Sequence, residues 1–173
     1  TEDMAKMAGT QAAEITRMRI WQVVFLRMPW LAITCAGQFL VSHVIKNYEG
    51  TLTKFIALAS FMPFIAAMGG NVGTQSSTIA VRALATGEWK ATDLRRPLLR
   101  EMCVGLTLGL TYAVLASLLS LALYGNRFGI MFPVTIALGM LTSITIAATL
   151  GGVWPFILSR FKIDPATATG PQR

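Results

Sequence analysis

Four long apolar windows alternate with short polar connections along this chain. They cover residues 29–45, 55–80, 102–124 and 130–158, and an α-helix needs about 20 residues to cross a bilayer. The first window is marginal in length unless it extends back to Trp21. The pattern predicts an all-α integral membrane protein with four transmembrane helices and, within residues 1–19, a short N-terminal cytosolic or interfacial helix.

The C-terminal residues carry a helix start signal. Asp164 followed by Pro165 is typical of an N-cap with proline at the first helical position. Only eight residues follow Pro165, too few to cross a bilayer. We therefore expect the start of a fifth helix that is mostly missing, and the alternative is a short amphipathic tail on the cytoplasmic surface.

Composition and charge agree with a membrane protein. Hydrophobic residues make up 54% of the chain, and mean hydropathy is +0.58. The net charge of +7 could indicate a nucleic-acid partner, but the bases gather at the ends of the apolar windows. Of the Lys and Arg that flank the windows, ten lie on the side shared by both termini and three on the other, which predicts cytoplasmic termini. Anionic lipid headgroups account for these bases, so we expect no nucleic-acid partner.

No arrangement of residues in the sequence predicts an enzyme. Ser76, Ser77 and His43 fall in opposite halves of the membrane, so they do not form a nucleophile and base. His43, the only histidine, has no ligand partner at the spacing of a zinc site. Cys35 and Cys103 lie inside apolar windows and are expected to stay reduced.

The most informative polar pattern lies in the second window, where residues 63–75 read PFIAAMGGNVGTQ. A polar stripe at helical spacings of three and four follows the glycine pair: Asn71, Thr74, Gln75, Thr78 and Arg82. Inside a bilayer these side chains need a partner, either another helix or a polar solute in passage. The two interpretations of this pattern are a glycine-lined packing seam and a pore, and for the whole stripe we favour the pore.

Small residues in the later windows predict helix packing. Gly105 and Gly109 form a Gly-x-x-x-Gly pair that permits close helix contact. The fourth window carries small or hydroxyl residues for which packing is also the default: Thr135, Gly139, Thr142, Thr149 and Gly152. Glu101 stands beside Arg100 near a helix start, so an ion pair is the favoured interpretation and a cation contact the alternative.

The run of residues 63–75, continued by Arg-Ala-Leu-Ala-Thr-Gly-Glu from Arg82, closely resembles the signature of the MgtE magnesium transporter family. The likeness begins at Thr1-Glu2-Asp3, which resembles the end of a regulatory region, and reaches Asp164-Pro165-Ala166. It implies a connecting helix over residues 1–19 and a truncated membrane domain over residues 20–173. It also implies a homodimeric Mg²⁺ channel of the plasma (inner) membrane, with a pore lined by the second and fifth helices.

Carried onto this chain, the resemblance makes Gly70, Asn71, Thr74 and Gln75 pore residues, and Thr78 continues the stripe. Asn71, Glu101 and Asp164 become candidate Mg²⁺ contacts, mostly through water, because Mg²⁺ loses its water reluctantly. The ion is the transported species, and no catalytic cofactor is expected. The implied partners are a second copy, the lipid bilayer and separate cytosolic regulatory domains. The alternative is a non-transporting membrane dimerisation or assembly module, or an inactive truncated paralogue.

Overall fold

The computed structural model describes residues 19–89 and 93–160, and every regular element in these ranges is helical. The helices are α1 (Ile20–Asn47), α2 (Glu49–Lys54), α3 (Ile56–Ala85), α4 (Arg95–Phe128) and α5 (Met131–Arg160). The predicted all-α class is confirmed. The predicted N-terminal helix and the start of a fifth transmembrane helix lie outside the described residues, and so does Asp164.

Three of the described helices are long and apolar enough to cross a membrane. The spans are Ile56–Ala85, Arg95–Gly125 and Met131–Ser159, and they cover the last three predicted windows except for the first residue of two of them. The first window lies within α1, which is not among the three. The predicted count of four transmembrane helices is therefore not confirmed, and the crossing by α1 stays a prediction.

The described chain divides into two compact units, with the boundary between Lys54 and Phe55. The first contains α1 and α2. At the start of α1 the backbone N–H of Arg19 donates to the Gln22 side-chain carbonyl at 3.0 Å. Most side chains of α1 are exposed, including the large apolar residues Phe25, Leu31 and Phe39.

In the second unit α5 is the central helix, since it packs along both α3 and α4, which touch each other at few points. The side chains of Met140, Ile144 and Ala148 on α5 are fully buried. The rest of the core is contributed by all three helices: Ala57, Phe61, Val72, Ala113, Ala116, Phe132 and Ile136. Residues of α5 therefore control the positions of both neighbouring helices.

Glycines bring α4 and α5 into close contact. A Cβ at Gly105 would lie 2.8 Å from the Ala148 Cβ and 3.1 Å from the Thr145 Cα, and a Cβ at Gly109 would lie 3.0 Å from the Leu141 carbonyl oxygen. The packing role predicted for this Gly-x-x-x-Gly pair is confirmed.

The strip predicted on the fourth window is only partly a packing surface. A Cβ at Gly139 would lie 3.3 Å from the Ile65 Cδ1, and Gly152 packs against Glu101. Thr135 and Thr142 are exposed, and each hydroxyl donates to a carbonyl of its own helix, at 2.9 and 2.7 Å respectively. Such internal hydrogen bonds allow a threonine to face apolar surroundings.

The two ends of this three-helix unit are closed by aromatic contacts. At the Tyr124 end, where α4 ends and α5 begins, the Tyr124 ring lies 6.1 Å from Phe61 and 5.5 Å from Phe132. At the opposite end Trp89 stacks on Phe156 with ring centroids 5.9 Å apart. These contacts hold the connections between helices against the bundle.

Candidate functional site

The glycine-rich motif of α3 is divided between two faces of the helix. Gly69, Val72 and Ser76 are buried. The other face carries the residues that the sequence assigns to the pore, all exposed except Thr78, which is half-buried: Gly70, Asn71, Thr74, Gln75 and Thr78. We call these five residues the polar face. The seam and the stripe, which were alternatives in the sequence, are both present on one helix.

The buried face of α3 packs against small residues of α5. A Cβ at Gly69 would lie 2.5 Å from the Ser143 Oγ, and a Cβ at Gly73 would lie 3.3 Å from the Ala147 carbonyl oxygen. A Cβ at Gly151 would overlap the carbonyl oxygen of Gly73. The backbones of the two helices are thus in direct contact, which fixes the rotation of α3 about its axis.

The polar face points away from this contact because an α-helix advances by about 100° per residue. Gly69 and Gly73 are one turn apart on the seam, and Gly70 and Thr74 follow each of them by one residue. A Cβ at Gly70 would meet nothing within 4 Å. The polar face is therefore open in this chain.

Local hydrogen bonds set which chemical groups the polar face offers. The Thr74 hydroxyl donates to the Gly70 carbonyl at 2.9 Å, and the Thr78 hydroxyl donates to the Thr74 carbonyl at 2.8 Å. No hydrogen bond joins the side chain of Asn71 or Gln75 to another described residue. Because the Thr74 proton is used by the backbone, the Thr74 hydroxyl oxygen is left as an acceptor. The face presents uncharged oxygens and amide groups.

Glu101 lies elsewhere in the bundle. Its side chain is 3% exposed and packs in the α4–α5 seam, where a Cβ at Gly152 would lie 2.6 Å from the Glu101 Cγ. The ion pair expected with Arg100 is not formed, since the Arg100 guanidinium lies over the Trp89 ring, 5.9 Å from its centroid. The structure does not bring Glu101 onto the exposed polar face.

Carboxylates are sparse around the candidate site. Within the described ranges no group of three or more His, Cys, Asp and Glu side chains could hold a metal ion. Asp164 cannot be placed relative to Asn71 because it lies outside those ranges. On the polar face itself, every side chain that could meet a cation is uncharged.

Sequence reasoning missed the residues of α5 that pack against the glycine-rich motif of α3. Ser143, Ala147 and Gly151 recur every four residues and form the surface that receives α3. The Ser143 hydroxyl also donates to the Ile65 carbonyl at 3.4 Å. Their spacing is a small-residue repeat that could have identified this surface, and it is offset by one position from the predicted strip that contains Thr142 and Gly152.

The fold and the polar face define the class of this protein. Long apolar helices, glycine seams and a polar surface on a helix able to span a bilayer are features of multi-pass helical membrane proteins. A family model described as "MgtE: Divalent cation transporter" matches residues 62–172. The chain belongs to the MgtE family of divalent cation transporters, and the resemblance seen in the sequence is confirmed.

Curated relatives match nearly the whole chain. It is 33% identical to "Magnesium transporter MgtE" of Thermus thermophilus over 99% of this chain and 38% of the relative. It is 29% identical to the protein of the same name from Bacillus subtilis over 98% of this chain and 37% of the relative. The chain thus spans less than two fifths of the length of these relatives. Their name is that of a transporter and not of an enzyme.

Proposed function

We propose that this chain is the membrane domain of a magnesium channel in which hydrated Mg²⁺ passes along the polar face of α3. The observation that carries the proposal is the open, uncharged oxygen surface at Asn71, Thr74 and Gln75 on a helix able to span the bilayer. The magnesium-transporter name of the relatives supports the choice of ion.

The chemistry of the polar face suits an ion that keeps its water. Mg²⁺ holds its first water shell tightly and is usually bound through those waters. The coordinated waters donate hydrogen bonds, so they need acceptors. Thr74 supplies a hydroxyl oxygen whose proton is already used within the helix, and Asn71 and Gln75 supply amide oxygens. A dry cage of carboxylates is not required for this kind of contact.

The open polar face also favours a homodimer. Exposed amides in a bilayer are costly unless another polar surface or water covers them. Two copies with their α3 polar faces opposed would enclose one aqueous passage lined twice by Asn71 and Gln75. Asp164 is assigned as a candidate contact at the cytoplasmic mouth, through water, and Glu101 would become one only by leaving the α4–α5 seam in which it is buried. Both termini are placed in the cytoplasm of an inner-membrane protein, where cytosolic domains would regulate opening.

The alternative of a non-transporting assembly module has less support. That hypothesis uses the glycine seams for association between copies. In the structure Gly69, Gly73, Gly105 and Gly109 instead face α5 of the same chain. Packing within one subunit explains why these residues are glycines. The assembly-module hypothesis then gives the polar face no role.

The test is Mg²⁺ uptake into liposomes that contain the full-length protein. Asn71→Ala and Gln75→Ala should each lower uptake by about tenfold, which corresponds to the loss of one hydrogen bond to a charged species. Gln38→Ala is the matched control, because it removes the same amide from an exposed position on α1. Normal uptake in both polar-face variants, or an equal loss in the control, would reject the polar face as the ion path.

A further inference from the structure

A groove at the Tyr124 end separates α3 from α4. It has a volume of about 340 Å³ and is open on one side. The lining residues come from the first turns of α3 and the last turns of α4: Ser60, Phe61, Phe64, Leu119, Leu123 and Tyr124. Its size falls within the range of small-molecule sites, about 300–1,000 Å³.

The polarity of the groove changes with depth. Because α3 begins and α4 ends at this end of the bundle, Ser60 and Tyr124 lie near the mouth, and Phe64 and Leu119 lie further inside. The Ser60 hydroxyl donates to the Ala57 carbonyl at 2.7 Å, so its oxygen remains an acceptor. No hydrogen bond joins the Tyr124 hydroxyl to another described residue. Polar groups therefore surround the mouth of an apolar groove.

A positive charge lies beyond the mouth. Arg127 follows Leu123 by one helical turn, just past the span that ends at Gly125. It is the only charged residue in the ranges 55–64 and 115–140, and Lys54 stands directly before the first of these ranges. Its guanidinium lies over the Phe128 ring, 5.4 Å from the centroid, and no ion pair joins it to another described residue. The charge is available to an external anion.

We propose that this groove is a binding site for an anionic phospholipid, with one acyl chain between α3 and α4 and the phosphate on Arg127. The order of groups along the site matches the order in the lipid: a cation for the phosphate, the Tyr124 hydroxyl as a donor to a glycerol ester carbonyl, and apolar side chains for the acyl chain. Arginine binds phosphate through paired hydrogen bonds. This site is separate from the polar face and does not depend on the proposed ion path.

The test uses photoreactive lipids with the full-length protein in nanodiscs. Phosphatidylglycerol and phosphatidylcholine carrying the same diazirine-labelled acyl chain are compared, and the cross-linked residues are mapped by mass spectrometry. Labelling at Phe64, Leu119 and Leu123 should be about fivefold stronger with phosphatidylglycerol, the ratio that corresponds to roughly 1 kcal/mol for one basic side chain at an anionic surface.

Matched variants separate this site from general lipid contact. Arg127→Gln should abolish the preference for phosphatidylglycerol, whereas Arg96→Gln, the same change at the other end of α4, should leave it intact. Leu119→Trp fills the groove and should suppress labelling, whereas Leu118→Trp, which is exposed outside the groove, should not.

Three results would overturn the proposal. The first is equal labelling by the two lipids, and the second is a preference that survives in Arg127→Gln. The third is a disulfide between two copies of Leu123→Cys in intact membranes, which would show that a second subunit, and not a lipid, covers the groove.

Discussion

Replacement of Gly151 by alanine tests whether the backbone contact between α3 and α5 holds the bundle together. The added Cβ would overlap the Gly73 carbonyl oxygen and lie 3.0 Å from both the carbonyl carbon and the Cα of Gly73. All three atoms belong to the backbone, so no side-chain rotation can relieve the overlap. α3 would have to move away from α5 by more than about 0.4 Å, since the carbonyl oxygen lies closer than the two carbon atoms, and that movement would also separate Gly69 from Ser143.

The expected magnitude follows from two opposing effects. Overpacking of this kind costs about 1–3 kcal/mol, and alanine in place of glycine within a helix returns up to about 1 kcal/mol. The net loss should be about 1–2 kcal/mol. For a chain of this size that corresponds to a fall in the unfolding midpoint of roughly 2–8 °C.

The assay is thermal unfolding of the purified protein in detergent, followed by tryptophan fluorescence. Gly37→Ala is the matched control because a Cβ at Gly37 on α1 meets nothing within 4 Å. It should leave the midpoint unchanged or raise it slightly. If Gly151→Ala unfolds at or above the temperature of the parent protein, the seam does not constrain α3 and the argument for its fixed rotation fails.

Further predictions concern the polar face, the Trp89 connection and the second seam. Thr74→Val should change stability by less than about 0.5 kcal/mol, since its hydroxyl bonds only to its own helix, while liposome Mg²⁺ uptake falls severalfold; unchanged uptake would exclude this hydroxyl from the ion path. A double-mutant cycle of Trp89→Ala and Phe156→Ala should give a coupling energy of about 0.5–1.5 kcal/mol from unfolding midpoints, and a value of zero would mean that the ring stack does not hold this connection. Gly105→Ala should lower the unfolding free energy by about 1–2 kcal/mol after the same gain in helix propensity, and a higher midpoint would show that α4 is loosely packed.

The sequence predicts the helices of the second unit because each has a long apolar window. The window over residues 102–124 underestimates α4, which begins at Arg95. The missing turns are rich in arginine and give no apolar signal, although arginine is a good helix former. The prediction of boundaries is weakest where a helix leaves the apolar part of its own sequence.

The two faces of the motif could also have been predicted from sequence. Gly69 and Gly73 repeat with the same spacing as Gly70 and Thr74, displaced by one residue, so one helix can carry a seam and a polar stripe at once. The buried position of Glu101 could not have been predicted from the sequence. Its burial depends on Gly152, which is distant in the chain and meets it only after α4 and α5 have packed.

The central position of α5 has a consequence for biosynthesis. α3 and α4 leave the ribosome before their common neighbour, and the contact between Ile65 and Ser143 joins residues 78 positions apart. At about 5–20 residues per second, the translation of α5 leaves Gly69 and Gly73 without a partner for seconds. We expect a nascent chain that ends near Phe128 to be degraded by membrane proteases, and a chain that reaches Arg160 to resist them.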